Sequence, residues 1–355
     1  MLIVRTPVRV SFAGGGTDLP SYYERYGGMV LSTSIDKYFY TVLTERDDGQ
    51  TQVISSDLRA VESCERIEKM EFQGSDLEIP FAVLKHLRCD SGINLFLASE
   101  VPPGTGLGSS AAVCVNLLKT LSVFLERELS DQDLAETAFH IATDILRKPV
   151  GKQDEYAVAI GGLNVVHFES SGVTVEPLAL SADSLVDLEQ NLMLFFTGSA
   201  RDSSEILTEQ DRSVRSRQDD VVGALTALKE LVPPMREALG TSDLGTFGKL
   251  LDESWKIKKR VSSRISNSRI DRIYDAALAC GALGGKITGA GGGGFLLLYC
   301  EKQKQDAVRV AMREFGLKEM KFHFDLAGTK VVYNNPFYDS DAHGGMRWVL
   351  VASSQ

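Results

Sequence analysis

Several features that would assign a chain quickly to a class are missing from this sequence. It has no apolar run of about 18 residues, the length that a membrane-spanning helix requires. Arg5 and Arg9 interrupt the stretch that would have to form the apolar core of an N-terminal signal peptide. The five cysteines are dispersed, without Cys-x-x-Cys spacing, so neither a disulfide framework nor a zinc site is indicated. We therefore expect a cytoplasmic protein with free thiols and no membrane partner.

Positive charge is also in deficit. Lysine and arginine total 38 against 48 aspartates and glutamates, which gives a net charge of -10 at pH 7. A chain without a global positive field is not expected to bind nucleic acid. A small anionic substrate remains compatible with this balance, because local cations decide binding inside a cleft.

The remaining composition is that of an ordinary globular protein, with 355 residues of which 43% are apolar and 24% are charged. Domains of about 100 to 200 residues would give two of them. The pattern changes near residue 190, where strand-rich segments give way to charged helical ones. We predict an α+β protein with one domain over residues 1–190 and a second over residues 191–355.

Periodicity predicts where the glycine-rich segments lie in this fold. Residues rich in Val, Ile, Thr, Tyr and Phe indicate strands, and apolar residues at helical spacing indicate helices. The strands expected on this basis lie at 2–12, 30–44, 93–100, 191–198, 319–325 and 329–334, and the helices at 113–125, 131–146 and 303–315. A glycine-rich loop at 102–112 therefore joins a strand to the N-terminus of a helix.

This loop has the properties of a phosphate site. Gly104, Gly106 and Gly108 remove side chains where a backbone must approach an anion. Ser109 and Ser110 then begin a helix whose free N–H groups and dipole favour phosphate. A Walker A loop would place a lysine after its last glycine, and here two serines follow instead. The loop predicts phosphate binding by backbone groups.

A second glycine cluster, Gly-Ala-Gly-Gly-Gly-Gly at 289–294, formally satisfies the dinucleotide-binding pattern. That pattern must open a helix, whereas Gly294 is followed by the strand-like Phe-Leu-Leu-Leu-Tyr. A nicotinamide-dependent oxidoreductase is therefore disfavoured. The cluster favours close backbone packing against a ligand or another loop, with a flexible hairpin as the alternative.

Two aspartates stand beside glycine turns. Asp18 follows a third glycine cluster just after the strand that carries Arg9, and Asp154 follows a helix stop in Gly-Lys-Gln-Asp-Glu-Tyr-Ala. In isolation each is a weak signal, because an aspartate near a turn is more often a cap than a catalyst.

In their order and spacing these segments resemble the GHMP kinase superfamily over nearly the whole chain. The segments are PVRVSFAGGGTD, PPGTGLGSSAA, GKQDEYA and KITGAGGGGF. The resemblance implies a two-domain fold, with an N-terminal domain like the second domain of ribosomal protein S5 and a ferredoxin-like C-terminal domain. Within the superfamily the chain is most similar to bacterial D-glycero-D-manno-heptose 7-phosphate kinases. Such enzymes phosphorylate the anomeric C1 hydroxyl to give the 1,7-bisphosphate, on the way to nucleotide-activated heptose and surface polysaccharide.

The resemblance also implies ATP and Mg²⁺ as cofactors and assigns roles to the motifs. Asp154 would take the proton of the sugar hydroxyl, and Arg9 would keep Asp154 ionised and help to neutralise the transferred phosphoryl group. Ser110 would lie at the Mg²⁺. The residues implied at the ATP phosphates are Pro103, Gly104, Thr105, Gly106, Leu107, Gly108, Ser109 and Ser110.

The sugar phosphate would bind opposite this loop, in the cleft between the domains. Asp18 would accept hydrogen bonds from sugar hydroxyls, and Arg201 is expected at the 7-phosphate. The residues expected on this side are Gly16, Thr17, Asp18, Lys152, Arg201, Gly291 and Gly292.

One position departs from the family pattern. Relatives commonly supply a glutamate to Mg²⁺ from the helix before the catalytic aspartate, and here that position is Ala142. Asp144 is not an obvious substitute, since two residues correspond to roughly 200° around a helix. Either Mg²⁺ keeps extra waters or activity is reduced. Two alternatives stay open: a kinase of another sugar, such as fucose or galactose, and a non-catalytic sensor of sugar and ATP.

Overall fold

The computed structural model of the chain describes residues 1–198 and 204–335. Its strands are β1 (Leu2–Ala13), β2 (Gly28–Glu45), β3 (Thr51–Ser55), β4 (Ala60–Cys64), β5 (Ile93–Ser99), β6 (Leu163–Glu169), β7 (Gly172–Pro177), β8 (Leu192–Phe196), β9 (Gly284–Ile287), β10 (Phe295–Tyr299), β11 (Lys318–Glu319) and β12 (Lys330–Asn334). Its α-helices are α1 (Pro20–Tyr26), α2 (Glu78–Leu87), α3 (Ser109–Phe124), α4 (Asp131–His140), α5 (Gln153–Ile160), α6 (Ala182–Asn191), α7 (Ser204–Arg215), α8 (Asp219–Glu230), α9 (Val232–Gly240), α10 (Leu244–Lys258), α11 (Ser268–Ala279) and α12 (Gln305–Glu314).

The first sheet has the strand order β12-β1-β2-β5-β3-β4, and β6 and β7 extend it from β2. Strand β2 is 18 residues long, so it pairs with β1 along one edge and with β6 and then β5 along the other. Strand β1 lies between β2 and β12 and is buried on both faces over its second half. A polar side chain on β1, such as that of Arg9, is therefore held inside the protein.

Helices α3, α4 and α5 cover this sheet. Helix α3 is apolar around most of its circumference, and its buried Asn116 donates hydrogen bonds to the carbonyl oxygens of Val4 at 3.1 Å and Phe39 at 3.2 Å. Helix α4 begins with a capping box formed by Ser130 and Asp133. The helix predicted at 131–146 is α-helical only to residue 140, and it continues as a π-helix over Ile141–Ile145.

The second sheet is antiparallel, with the order β11-β8-β10-β9. Helices α7 to α11 form within the charged helical part of the sequence. The strand predicted at 319–325 is wrong for most of its length, because β11 covers only two residues. Side chains satisfy the backbone there: the N–H of His323 donates to Asp36 at 2.8 Å, and that of Phe324 donates to Glu189 at 2.7 Å. Hydrogen bonds from these backbone N–H groups to side chains take the place of sheet pairing.

The two sheets are joined through helix α10. Phe12 at the end of β1 packs edge to face on Phe247 of α10, with ring centroids 5.3 Å apart. The carbonyl of Phe12 also accepts a hydrogen bond from Lys286 of β9 at 3.2 Å. The chain then returns to the first sheet, where β12 pairs with β1. The division at residues 190 and 191 stays a prediction. Among the described residues no helix is long and apolar enough to span a bilayer.

Candidate active site

A cleft of about 290 Å³ lies where the connections between the two sheets meet. Its wall is built from the β1–α1 turn, the β5–α3 loop, the α4–α5 connection, helix α10 and the β9–β10 loop. All four segments that carry the family resemblance therefore border one cavity.

The β5–α3 loop presents glycine and serine to this cleft, through Gly104, Gly106, Gly108, Ser109 and Ser110. Gly108 has a φ of 76° directly before α3, and a Cβ there would lie 3.3 Å from Oδ2 of Asp154. Gly106 has a φ of 78°, and a Cβ there would lie 2.5 Å from the carbonyl oxygen of Thr288. Only glycine satisfies both the left-handed backbone and the close approach. The N-terminus of α3 is thereby exposed to the cleft, which suits an anion.

The other predicted members of this loop have different positions. Pro103 is exposed outside the cleft wall, whereas Thr105 and Leu107 are buried. The carbonyl of Leu107 accepts a hydrogen bond from the N–H of Arg9 at 2.9 Å, and the carbonyl of Thr105 accepts one from the N–H of Phe295 at 3.2 Å. These two residues anchor the loop to both sheets.

The β9–β10 loop packs against the β5–α3 loop. A Cβ on Gly289 would lie 2.6 Å from the Cα of Gly106, so the two backbones are in direct contact. Gly291 lines the cleft, while the N–H of Gly292 donates to the carbonyl of Ile265 at 2.8 Å. Strands lie on both sides of this loop, in agreement with the sequence argument against a dinucleotide fingerprint.

Arg9 and Asp154 form the central pair of the cleft. The guanidinium donates from Nε to Oδ1 of Asp154 at 2.7 Å and from Nη2 to Oδ2 at 2.6 Å. Its Nη1 donates to the carbonyl of Gly106 at 2.6 Å. The Arg9 side chain is 3% exposed and that of Asp154 is 27% exposed. Asp154 is the second residue of α5, so the carboxylate is fixed by a bidentate partner and a helix N-terminus while one side faces the cleft.

Asp18 lines the cleft but is already well supplied with hydrogen bonds. Its Oδ1 accepts from the N–H of Gly16 at 2.8 Å and from Nε2 of Gln153 at 3.1 Å. Its Oδ2 accepts from the N–H of Gln153 at 3.2 Å. Burial raises the pKa of Asp18, and the nearby charge of Asp154 adds to this effect.

The remaining predicted substrate residues are not all brought to the cleft. Gly16 lines it, and its carbonyl accepts from Nε2 of Gln210 at 3.0 Å. Thr17 is buried outside the wall, where its hydroxyl donates to the carbonyl of Gly14 at 2.7 Å. Lys152 is also outside the wall, because both oxygens of Glu136 hold its Nζ at 2.7 Å. The prediction for Arg201 lies outside the described residues.

Two buried lysines, Lys258 and Lys286, lie close enough to Arg9 to feel its charge, and Lys258 lines the cleft. Lys258, the last residue of α10, is 7% exposed, lines the cleft and donates to the carbonyl of Gly289. Burial lowers its pKa to about 8, with the charge of Arg9 adding to the effect. Lys286 is 2% exposed, and burial together with the charges of Lys258 and Arg9 places its pKa well below the ordinary lysine value.

The sequence offers both lysines only as members of a larger set of candidate cations for the 7-phosphate, most of which were expected to be surface charges. The spacing of α10 contained the signal for Lys258. The buried positions of this helix include Phe247, Leu251, Ser254 and Lys258, which recur every three or four residues. The lysine therefore lies on the apolar stripe of an otherwise charged helix.

The acidic residues Asp144 and Glu155, near the expected metal position, have different surroundings. Ala142 lines the cleft within the π-helix, while Asp144 turns to solvent and pairs with His140 at 2.7 Å. Glu155, which sequence reasoning did not single out, is 4% exposed and lines the cleft. Its Oε2 has no hydrogen-bond partner. Burial raises the pKa of Glu155 well above the ordinary value, and the charge of Asp154 contributes. No cluster of three or more His, Cys, Asp or Glu side chains within residues 1–198 and 204–335 could hold a metal ion by itself.

Two family models match the chain on either side of this cleft. The model described as GHMP kinases N terminal domain matches residues 78–162, and that described as GHMP kinases C terminal matches residues 235–318. The first matched range contains the β5–α3 loop and Asp154, and the second contains Lys258 and the β9–β10 loop.

Full-length relatives agree with these models. D-glycero-alpha-D-manno-heptose 7-phosphate kinase of Campylobacter jejuni is 33% identical over 334 residues, which cover 92% of this chain and 97% of that protein. The bifunctional fucokinase/GDP-fucose pyrophosphorylase of Arabidopsis thaliana is 25% identical over 90% of this chain, and the match spans 32% of that longer protein. The crystal structure of a D-glycero-D-manno-heptose 1-phosphate kinase from Bacteriodes thetaiotaomicron has a TM-score of 0.79 at 26% identity, with 95% of this chain and all of that chain covered. The chain therefore belongs to the GHMP kinase family and is a phosphotransferase.

Proposed function

We propose that this protein transfers the terminal phosphoryl group of ATP to the C1 hydroxyl of D-glycero-D-manno-heptose 7-phosphate, forming the 1,7-bisphosphate. The observation that carries the proposal is the Arg9–Asp154 pair, held directly against Gly108 at the N-terminus of α3. A proton acceptor and a phosphate-binding helix terminus are thereby juxtaposed in one cleft. Phosphoryl transfer requires this combination of parts.

Asp154 would act on the acceptor hydroxyl. Both of its oxygens already accept from Arg9, but a carboxylate has about four lone-pair positions and its cleft side is free to accept another hydrogen bond. As the hydroxyl oxygen bonds to phosphorus and the bond to the leaving ADP oxygen breaks, the hydroxyl proton passes to the carboxylate. Arg9 keeps the acceptor lone pair in position through its bidentate bond.

The cations of the cleft would neutralise the transferred group. Arg9 of β1 and Lys258 of α10 both border the cleft, and each donates to a carbonyl of one glycine loop, that of Gly106 or that of Gly289. Preorganised charge of this kind stabilises a transition state without further reorganisation. Lys258 would thus provide the amine that the β5–α3 loop lacks.

The residues present fit a hydrated magnesium ion that nucleotide phosphates complete. Ser110 and Glu155 both line the cleft, and Oε2 of Glu155 is buried without a hydrogen-bond partner. Bound Mg²⁺ would neutralise phosphate charge and orient the terminal group. Farther along the wall, Ile79, Ile141 and Leu146 offer an apolar surface suited to a purine base.

The assignment of heptose 7-phosphate as the substrate rests on the likeness to relatives and on the polar groups near Asp18 in the cleft. The Campylobacter jejuni relative is named for heptose 7-phosphate, and it aligns with this chain over nearly its whole length. Asp18 and the glycine turn around Gly16 offer a carboxylate and backbone groups to sugar hydroxyls. Arg201 remains our candidate for the 7-phosphate, by analogy with cationic phosphate sites.

A coupled assay of ADP release with a panel of acceptors tests the proposal. The panel is D-glycero-D-manno-heptose 7-phosphate, the unphosphorylated heptose, L-fucose and D-galactose, each with ATP and Mg²⁺. We expect kcat/KM to be highest for the heptose 7-phosphate, and we expect the product to carry phosphate at C1 by ³¹P NMR.

The other outcomes separate the alternatives. Preferred turnover of L-fucose or D-galactose would reassign the acceptor. Binding of ATP and sugar without any turnover, unchanged by Asp154→Asn, would indicate a sensor and overturn the enzymatic proposal.

A further inference from the structure

Glu155 is a buried acid with an unfilled bonding capacity. It is the third residue of α5, next to Asp154, and it is 4% exposed in the cleft wall. Its Oε2 is fully buried and has no hydrogen-bond partner. Leaving a buried polar atom unpartnered is costly, so the position favours a ligand that supplies the missing contact.

The neighbouring side chains cannot supply that contact. Cys114 is close enough for the charge of Glu155 to raise its pKa, and the cleft wall also includes the small apolar residues Ala111, Ala138 and Ala142. Arg9 is engaged by Asp154 and the carbonyl of Gly106. Lys258 is engaged by the carbonyl of Gly289. A group that enters the cleft would have to be the partner.

The other carboxylates of the described wall already have partners. Asp154 is paired with Arg9, and Asp18 accepts three N–H hydrogen bonds. Glu78 is paired with Lys148 at 2.8 Å. Among these carboxyl groups of the described wall, that of Glu155 has a buried oxygen without a hydrogen-bond partner. This oxygen could coordinate a metal ion.

We propose that Glu155 supplies the carboxylate ligand of the nucleotide-bound Mg²⁺, in place of the glutamate that relatives carry at the position of Ala142. The inference rests on the proposed function, since the nucleotide phosphates complete the metal shell. Mg²⁺ in such sites takes one or two carboxylates together with phosphate oxygens and water. The methyl group of Ala142, in the same wall, offers no competing ligand. The carboxylate thus comes from α5, adjacent to the proton acceptor, and Ser110 provides a hydroxyl from α3.

Binding of Mn²⁺ provides a direct test that does not depend on activity. Free Mn²⁺ is measured by electron paramagnetic resonance in titrations of the protein with a non-hydrolysable ATP analogue. The variants are Glu155→Gln, which keeps the size of the side chain, and Glu78→Gln as a control at a second glutamate of the wall. We expect Glu155→Gln to weaken Mn²⁺ binding by about 10-fold or more. We expect Glu78→Gln to leave Mn²⁺ binding unchanged within about twofold, since Lys148 neutralises Glu78.

Binding of the analogue without metal reports on folding and on the nucleotide site. We expect Glu155→Gln to retain this affinity. Equal Mn²⁺ affinity of Glu155→Gln and the unaltered protein would overturn the inference and leave the proposed function standing. An equal loss of metal-free and metal-dependent binding would also overturn it. If the unaltered protein binds no analogue with or without Mn²⁺, both the inference and the proposed function fail.

A second substitution tests whether the two positions serve one metal. Ala142→Glu added to Glu155→Gln returns a carboxylate to the same wall. We expect it to restore a substantial part of the Mn²⁺ affinity. If the double variant binds Mn²⁺ no better than Glu155→Gln, residues 142 and 155 do not serve the same metal ion, and the proposed exchange of roles is contradicted.

Discussion

The two walls of the cleft hold their charges in different ways. On the side of the first sheet, Asp18 and Asp154 are surrounded by N–H donors, with Arg9 as a bidentate partner. On the side of the second sheet, Lys258 in the wall and Lys286 outside it are buried and donate to backbone carbonyl oxygens. The first wall is therefore fixed before any ligand arrives, whereas Lys258 in the second wall is a buried amine with no carboxylate partner among the described residues. This difference predicts that substitutions on the two walls have opposite effects on stability.

The largest effect is expected from Asp154→Asn, which removes the proton acceptor of the first wall. We expect kcat to fall by about 10³-fold, within the range for loss of a general base. The substitution also breaks the partly buried ion pair, so we expect the free energy of unfolding to fall by about 2 kcal/mol. Steady-state kinetics and urea denaturation measure the two effects. Asp144→Asn, at an exposed carboxylate, is the control; a kcat for Asp154→Asn near that of the control would refute the assignment.

A smaller loss of activity is expected from Lys258→Met, together with a gain in stability. We expect kcat/KM to fall by about 100-fold, as for removal of one transition-state donor. Removing a buried charge that has no ion-pair partner in the described structure should raise the free energy of unfolding by about 1 to 3 kcal/mol. Lys256→Met, on the exposed side of the same helix, is the control. A Lys258→Met protein less stable than the control would show that the two walls do not differ in the way described.

The pH dependence of stability sharpens the same comparison. The pKa of Lys258 is lowered to about 8 in the folded protein, against 10.5 when unfolded. Between these values the unfolded state binds more protons, so this lysine's contribution makes stability rise with pH. Below pH 8 the amine is charged in both states, and the full destabilisation from burying that charge is present. We expect the stability advantage of Lys258→Met over the unaltered protein to shrink by up to about 3 kcal/mol between pH 7 and pH 10.5. Denaturant titrations at four pH values would reveal it; a constant difference would contradict the burial of a charged amine.

The smallest effect is expected from Lys152→Met. This lysine precedes α5 but its Nζ is held by Glu136, outside the cleft wall. We expect KM for the sugar phosphate to change by less than about threefold, because a paired lysine outside the site makes no substrate contact. Steady-state kinetics provides the value. A tenfold increase in KM with unchanged kcat would restore Lys152 to the substrate site.

The sequence predicted most elements that carry the cleft, because their periodicity is strong. The β5–α3 loop follows from a strand pattern, alternating glycines and an apolar helix. The segment at 319–325 was predicted as a strand and is largely irregular, because the side chains of Asp36 and Glu189 bind its backbone. Such contacts come from residues far away in the chain and leave no local pattern.

In the site, too, positions that depend on local spacing were predictable, whereas contacts between distant residues were not. Arg9 and Asp154 are 145 residues apart, so no spacing rule could pair them, and the family resemblance supplied the association. Lys258 was predictable as a buried position of α10, but not as a neighbour of Asp154, since the latter depends on how the two sheets are joined. The unpartnered oxygen of Glu155 is visible only once all its neighbours are in place.

Strand β12 has a consequence for the order of assembly during synthesis. It covers the outer edge of β1, the strand that carries Arg9, yet it ends at Asn334. Ribosomes make the chain from its N-terminus, so nearly all of the described residues are synthesised before β12 can pair with β1 and cover that edge. Long-range pairing of this kind is slow to form and leaves an open edge in the meantime. The nascent first sheet is therefore the region where we expect the emerging polypeptide to depend most on chaperones.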